Sequence, residues 1–91
     1  MDPAKYVIIK GNYLTEEPIV IPCTANHADV VKEHTHVISA GMVSFSIEDG
    51  RMKAHCWGES STLKQQGKPS ESRGIEDAMI INAWILRSHQ K

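Results

Sequence analysis

The sequence predicts an α+β domain in which a four-stranded antiparallel sheet carries two helices, in the order β-β-α-β-β-α, with the helices packed on one face. A tight turn signal at Asp49-Gly50, flanked by runs of alternating polarity, predicts the central hairpin. An amphipathic pattern near the end of the chain predicts the main helix. With 91 residues, 41% apolar and 23% charged, residues 1–91 are expected to form a single domain.

Residues 37–58 (VISAGMVSFSIEDGRMKAHCWG) give the clearest structural signal. Asp49-Gly50 suits a type I′ turn, because both central residues of that turn need positive φ. The pairing that follows from the turn places an apolar set on one face: Val43, Phe45, Ile47, Met52, Ala54 and Cys56. A polar set falls on the other face: Ser44, Ser46, Glu48, Arg51, Lys53 and His55. The sequence therefore predicts a hairpin with one buried face.

Two shorter strands and a short helix are expected before this hairpin. Residues 5–10 (KYVIIK) are rich in side chains that favour strands, and residues 18–21 (PIVI) begin with a proline at a tolerated position. Asn26 is expected to cap a helix over residues 27–34, with Asp29 in its first turn. Packing against the sheet must hold a helix this short.

The last third of the chain contains a long connection and the main helix. Residues 59–73 (ESSTLKQQGKPSESR) are predicted to be the least structured stretch, with Leu63 as their only large apolar residue. Residues 74–88 are predicted to form a helix, since Glu76 and Asp77 fall in its first turn and Arg87 in its last. Its predicted core face consists of Ile75, Ala78, Met79, Ile81, Ile85 and Leu86.

Ile80 and Trp84 lie outside that predicted core face. They are four residues apart, so they form a second apolar ridge on the same helix. One interpretation is that the N-terminal residues or the long loop cover this ridge. The other is that Ile80 and Trp84 bind a protein partner, and a symmetric homodimer is the simplest form of that contact. We take these two side chains as the predicted partner-binding residues.

The loop over residues 60–73 is the second predicted binding surface. Its hydroxyl groups and cations are of the kind that hold a phosphate or a carboxylate, and a basic strip on the hairpin's outer face extends the set. The predicted ligand-binding residues are Ser60, Lys64, Lys68, Arg73, Lys53 and His55. The plain alternative is a solvated loop, and a net charge of −1 gives no overall electrostatic signal for nucleic acid.

The sequence predicts no metal site, no cofactor and no catalytic residue. Five histidines and two cysteines are present, but His55 and Cys56 are adjacent in a strand and point to opposite faces. Gly58-Glu59-Ser60 resembles the start of a nucleophile elbow, yet Thr62 replaces its second glycine. Cys23 and Cys56 suit free thiols. Because no long apolar run is present, a cytoplasmic protein without membrane contact is expected.

A loose series of motifs runs from about residue 26 to residue 85. It reads H-x-D-V, then V-I-S-A-G-M-V, then H-C-W-G-E-S, then E-D-A-M-I-I. In this respect the chain resembles small, uncharacterised proteins of bacterial genomes that are associated with phage or prophage regions. Where such proteins tend to read S-L-G, this chain has Thr62-Leu63-Lys64. The resemblance implies a phage accessory role and assigns no site residue.

These observations predict a small, non-enzymatic interaction module that binds a protein partner or associates with itself. The alternative is an anion-binding or nucleic-acid-binding protein that uses the loop over residues 60–73.

Overall fold

The structure of the protein is a computed structural model, which describes residues 3–11 and 15–89. Its elements in chain order are β1 (Ala4–Lys10), β2 (Glu16–Ile21), a 3-10 turn (His27–Val30), β3 (Val37–Glu48), β4 (Arg51–Trp57), α1 (Ser61–Gln65) and α2 (Ile75–His89). The α+β class and the four-stranded antiparallel sheet are confirmed. The predicted order of elements is wrong in two places, at the 3-10 turn and at α1.

The strands lie side by side in the order β2-β1-β3-β4, and each neighbouring pair is antiparallel. The first strand of the chain is therefore central, and β4 forms one edge of the sheet. The pairing of β1 with β3 shifts register between Ile8 and Ile9. Since no strand of residues 3–11 and 15–89 lies beyond β4, its outer backbone groups need partners of another kind.

The β3–β4 hairpin has the predicted turn and the predicted register. Asp49 and Gly50 have φ angles of 52° and 75°, as a type I′ turn requires. Glu48 pairs with Arg51 at the turn, and the pairing continues without a shift to Met42 and Trp57. The predicted buried face is only partly buried, because Val43 and Ala54 are covered while Ile47 and Met52 near the turn are exposed.

Apolar cores cover both faces of the sheet, so the prediction of helices on one face is wrong. On the face beneath α2 the buried core residues are Tyr6, Ile8, Val43, Ala54 and Ile81. On the opposite face, beneath α1 and the 3-10 turn, they are Val7, Val31, Val37, Ala40 and Leu63. The physical reason lies in β1, where the consecutive residues Tyr6, Val7 and Ile8 are all fully buried. Successive strand residues point to opposite faces, so this strand requires cover on both sides.

The helix predicted over residues 27–34 is a single 3-10 turn, His27–Val30. Asn26 makes no side-chain capping hydrogen bond, and Val31 is already extended, with φ −112° and ψ 117°. The buried ring of His27 holds the turn instead, since its Nε2 lies 2.9 Å from the carbonyl oxygen of Gly41 and donates to it. The side chain of His27 thus holds this segment in place, where the sequence predicts packing by the apolar face of a helix.

The stretch over residues 59–73 is folded back on the sheet, although it was predicted to be the least structured. The Ser60 hydroxyl accepts a hydrogen bond of 3.2 Å from the Leu63 N–H and so caps α1. The Ser60 N–H donates to the Ser70 carbonyl at 2.7 Å, and the Ser72 N–H donates to the Gly58 carbonyl at 3.0 Å. These bonds close the ends of the loop, and the fully buried Leu63 fixes α1 on the sheet.

The predicted helix over residues 74–88 is confirmed as α2, Ile75–His89. It contacts β4 along one flank and β2 less extensively. Within the described ranges, no helix is long and apolar enough to cross a membrane.

Candidate partner-binding site

The orientation of α2 is set by a buried carboxylate near its N-terminus. Asp77 is fully buried, and its Oδ2 accepts a hydrogen bond of 2.5 Å from the hydroxyl of Tyr6 in β1. Its Oδ1 accepts one of 2.9 Å from the hydroxyl of Ser39 in β3. A buried carboxylate is costly unless its oxygens are satisfied, so Asp77 must face these two strands.

Arg73 completes the surroundings of this carboxylate. Its backbone N–H donates to Asp77 Oδ2 at 2.9 Å, and its Nε donates to Asp77 Oδ1 at 2.8 Å. The other end of the guanidinium forms an ion pair with Glu16 of β2. Burial opposes the charge of Arg73, but the carboxylates of Asp77 and Glu16 outweigh burial and raise its pKa. Asp77 and Arg73 together therefore connect α2 to three strands.

This attachment fixes which side of α2 faces solvent. Asp77 and Ile81, one turn apart, occupy the buried side. Ile75, Met79 and Leu86, which were predicted to belong to the core, are 80%, 66% and 56% exposed. That part of the predicted core face is wrong, because the helix is turned toward the partners of Asp77 rather than toward its most apolar side.

A groove runs between this exposed side of α2 and β4. The apolar residues along it are Ile75, Met79 and Leu86 from the helix and Ile47 and Met52 from the hairpin, and we call it the α2–β4 groove. Ile47 is 65% exposed and Met52 40%. The part of the groove beside the hairpin turn is open to solvent and has a volume of about 610 Å³. Five large apolar side chains are thus exposed along two pockets that meet at Asn82, and clusters of this kind mark interaction sites.

Asn82 of α2 lies in the middle of the α2–β4 groove, where it lines the pockets on both sides. Its side-chain oxygen accepts a hydrogen bond of 2.8 Å from the backbone N–H of Ala54 in β4. This bond pairs an outward-pointing backbone group of the edge strand. The groove therefore has a rigid floor at its centre and apolar ends on either side.

The predicted partner-binding residues lie elsewhere on α2. Ile80 is half-buried and packs against the core beneath the helix, together with Val20 of β2. It is therefore not an exposed anchor, because the rotation of α2 brings this side of the helix over the sheet. Trp84 remains 39% exposed. Ile80 is thus partly covered and Trp84 is partly exposed, and the binding of a partner by these two side chains stays a prediction of the sequence.

The loop residues of the predicted ligand site have structural roles of their own. The Ser60 side chain is buried as the cap of α1. Lys68 donates a hydrogen bond of 3.3 Å from Nζ to the carbonyl of Lys32. Lys64 is exposed in the last turn of α1. Of these three side chains, Lys64 alone has its charge directed to solvent without a hydrogen bond to a described residue.

The other three predicted ligand residues are divided between the two faces of the sheet. Arg73 lies on the α2 face, paired with acidic residues. Lys53 and His55 lie on the opposite face, where Nζ of Lys53 is 3.9 Å and Nε2 of His55 is 3.4 Å from the Glu48 carboxylate. The structure therefore does not bring the predicted set together around one ligand.

Two further titratable side chains lie close to the core. Burial lowers the pKa of His27, and the nearby charge of Lys5 acts in the same direction, against the hydrogen bond to Gly41. Burial, followed by the charge of Asp77, raises the pKa of the Cys56 thiol to about 12. Both groups are therefore uncharged at neutral pH. Over residues 3–11 and 15–89, no three or more His, Cys, Asp or Glu side chains are grouped closely enough to hold a metal ion.

The sequence does not predict that Ile75, Met79 and Leu86 lie on the surface of the protein. A signal was present, because α2 also has Ile80 and Trp84 and is thus apolar around most of its circumference. A helix of this kind must be covered on every side, either by its own fold or by another molecule. The sequence could not show which side the fold leaves open.

Comparisons with protein-family models, with curated proteins and with solved structures give no match. The class of protein defined by fold and site is accordingly an α+β domain with an apolar groove between its last helix and an edge strand.

Proposed function

We propose that this protein is a small, non-enzymatic interaction module that binds a protein through the α2–β4 groove. The observation that supports the proposal is the concentration of exposed Ile47, Met52, Ile75, Met79 and Leu86 along that groove. Burying one such side chain contributes about 1.5–3 kcal/mol, so their shared exposure is costly unless a partner covers them.

The chemistry of the groove favours a protein rather than a charged ligand. Each wall exposes large apolar side chains, and Asn82 lies between them as a polar group. An apolar surface that is bordered by charged groups is typical of protein–protein interfaces. Arg51 lines the groove on the hairpin side and is exposed, and Glu76 and Arg87 are exposed on α2.

Binding of an anion or a nucleic acid remains a prediction of the sequence that no observation in the structure favours. Ser60 is buried and Arg73 is already paired with two carboxylates. The proposed setting is the cytoplasm, as an accessory protein of a phage or prophage. The proposed location rests on the lack of a long apolar run in the sequence, and the proposed phage role rests on the motifs of residues 26–85 alone.

Site-specific photo-crosslinking tests the proposal. A photoreactive amino acid replaces Met79 in the groove, and a matched variant carries it at Gln65, which is exposed on the opposite face of the sheet. Irradiation of cells of the source organism that express each variant should give a discrete cross-linked protein species for position 79 and none for position 65. Equal patterns from the two positions would contradict the proposal, since the groove would then show no preference for a partner.

A further inference from the structure

We infer that the occupant of the α2–β4 groove is a second copy of this chain, whose α2 packs antiparallel against α2 around a two-fold axis. This inference rests on the proposed function, because it names the partner of the same groove.

The spacing of the groove residues on α2 suits contact with another helix. Ile75, Met79, Asn82 and Leu86 follow one another at intervals of 4, 3 and 4 residues. Alternation of these intervals produces the seam along which two helices pack side by side. Ala83 is exposed beside this seam and is small enough to permit a close approach. The exposed side of α2 therefore has the pattern of a helix–helix interface.

An added β-strand is the less suitable occupant. A strand that joined the sheet beside β4 would need the outward N–H of Ala54, which already donates to Asn82. Pairing with the strand would break this bond and displace α2 from the edge. A helix laid along the groove leaves the bond intact and covers the apolar ends on both sides of it.

The exposed area agrees with a modest symmetric interface. The five apolar side chains are 40–80% exposed, so together they leave a large apolar area open to a partner. A standard interface covers about 800 Å² on each partner. The neighbouring Glu76, Ala83 and Arg87 are exposed and extend this surface along α2. A symmetric contact uses the same surface twice, so both copies are covered at once.

The charges on α2 favour the antiparallel arrangement. Glu76 lies in the first turn and is exposed, and Arg87 lies about 16 Å further along the helix and is also exposed. A two-fold axis that passes between Ile81 and Asn82 brings Glu76 of each copy to the level of Arg87 of the other. A parallel arrangement would instead place like charges together and align the two helix dipoles unfavourably. Glu76 already lies 3.7 Å from Arg73, but its side chain is largely exposed to a further partner.

Sedimentation across a dilution series tests the arrangement with charge reversals. Wild type is expected to dimerise reversibly, and Glu76→Arg or Arg87→Glu alone should raise the dimer Kd about tenfold, because each creates two repulsive contacts across the axis. The double variant Glu76→Arg/Arg87→Glu should return the Kd to within about threefold of wild type. Glu33→Arg, an exposed change of the same charge away from α2, serves as the control and should leave the Kd unchanged.

Two outcomes would overturn the inference. A wild type that stays monomeric at millimolar concentration has no such interface, and a double variant as weak as the singles does not pair Glu76 with Arg87. Met79→Glu provides a check that is independent of the helix charges, and a dimer that survives this change does not use the groove. If wild type is monomeric but position 79 cross-links to a protein of different mass, the proposed function stands and the inference alone fails.

Discussion

The Tyr6 hydroxyl donates a hydrogen bond of 2.5 Å to Asp77, and this contact joins the first strand to the last helix. The same carboxylate accepts from Ser39 and from the backbone and side chain of Arg73. The chain is thus connected from β1 through β3 to α2 by one fully buried group. Because the Asp77 carboxylate must point toward these partners, the opposite side of α2 is exposed and forms one wall of the groove.

Removal of this carboxylate should destabilise the fold strongly. Asp77→Ala leaves Arg73 without its buried partner and Ser39 without its acceptor, and such a loss costs about 3–5 kcal/mol. The free energy of unfolding measured in urea should fall by this amount. Glu33→Ala removes an exposed carboxylate and should change it by less than about 0.5 kcal/mol. A loss below about 1 kcal/mol for Asp77→Ala would show that the carboxylate does not hold α2 in place.

The parts of the fold that the sequence predicted are those determined by neighbouring residues. The hairpin follows from Asp49-Gly50, because a two-residue turn fixes the pairing of every residue beyond it. The facing of α2 depends instead on Tyr6 and Ser39, which are distant in the chain. The apolar pattern of α2 assigns Ile75 and Met79 to the core. It cannot show that the hydrogen bonds of the buried Asp77 determine which side of the helix faces the sheet. The groove was missed for this reason.

The short helix α1 was missed for a different reason. Five residues with one large apolar side chain give no periodicity, so Leu63 appears in the sequence as an isolated residue within a polar loop. Its burial depends on a pocket made by β1, β3 and the 3-10 turn. Only the complete sheet shows that this pocket exists.

Leu63 should contribute to stability as a core residue. Leu63→Ala leaves a cavity between α1 and the sheet, and truncation of a buried leucine costs about 2–5 kcal/mol. Gln65→Ala, at an exposed position of the same helix, should have little effect. Chemical denaturation of the two variants beside wild type measures the difference. Similar values for both variants would indicate that the loop does not pack on the sheet.

His27 should make the protein less stable in mild acid. Its pKa is lowered by burial in the folded state, whereas in the unfolded chain the imidazole has its ordinary value near 6.5. Below about pH 6.5 the unfolded state binds a proton that the folded state does not. The free energy of unfolding therefore decreases as the pH is lowered, until the pH is below the pKa of His27 in the folded state. Above pH 7 both states are neutral, and this contribution to the pH dependence vanishes.

Denaturation at a series of pH values between 5 and 8 measures the effect of His27. The slope for wild type should reach at most about 1.4 kcal/mol per pH unit. His27→Gln removes the titrating group and should reduce this slope. A slope that persists in His27→Gln would assign the pH dependence to another residue.

The two cysteines should differ widely in reactivity. Cys23 is exposed, whereas the pKa of the half-buried Cys56 is raised to about 12, first by burial and then by the charge of Asp77. At pH 8 only about one Cys56 thiol in ten thousand is ionised, and the thiolate is the form that reacts. A disulfide reagent at pH 8 should therefore label Cys23 at least about a hundredfold faster than Cys56.

In 6 M guanidinium chloride the two labelling rates should become similar, because unfolding removes both causes of the raised pKa of Cys56. The variant Cys23→Ser isolates the slow reaction, and rapid labelling of this folded variant would contradict the burial of Cys56.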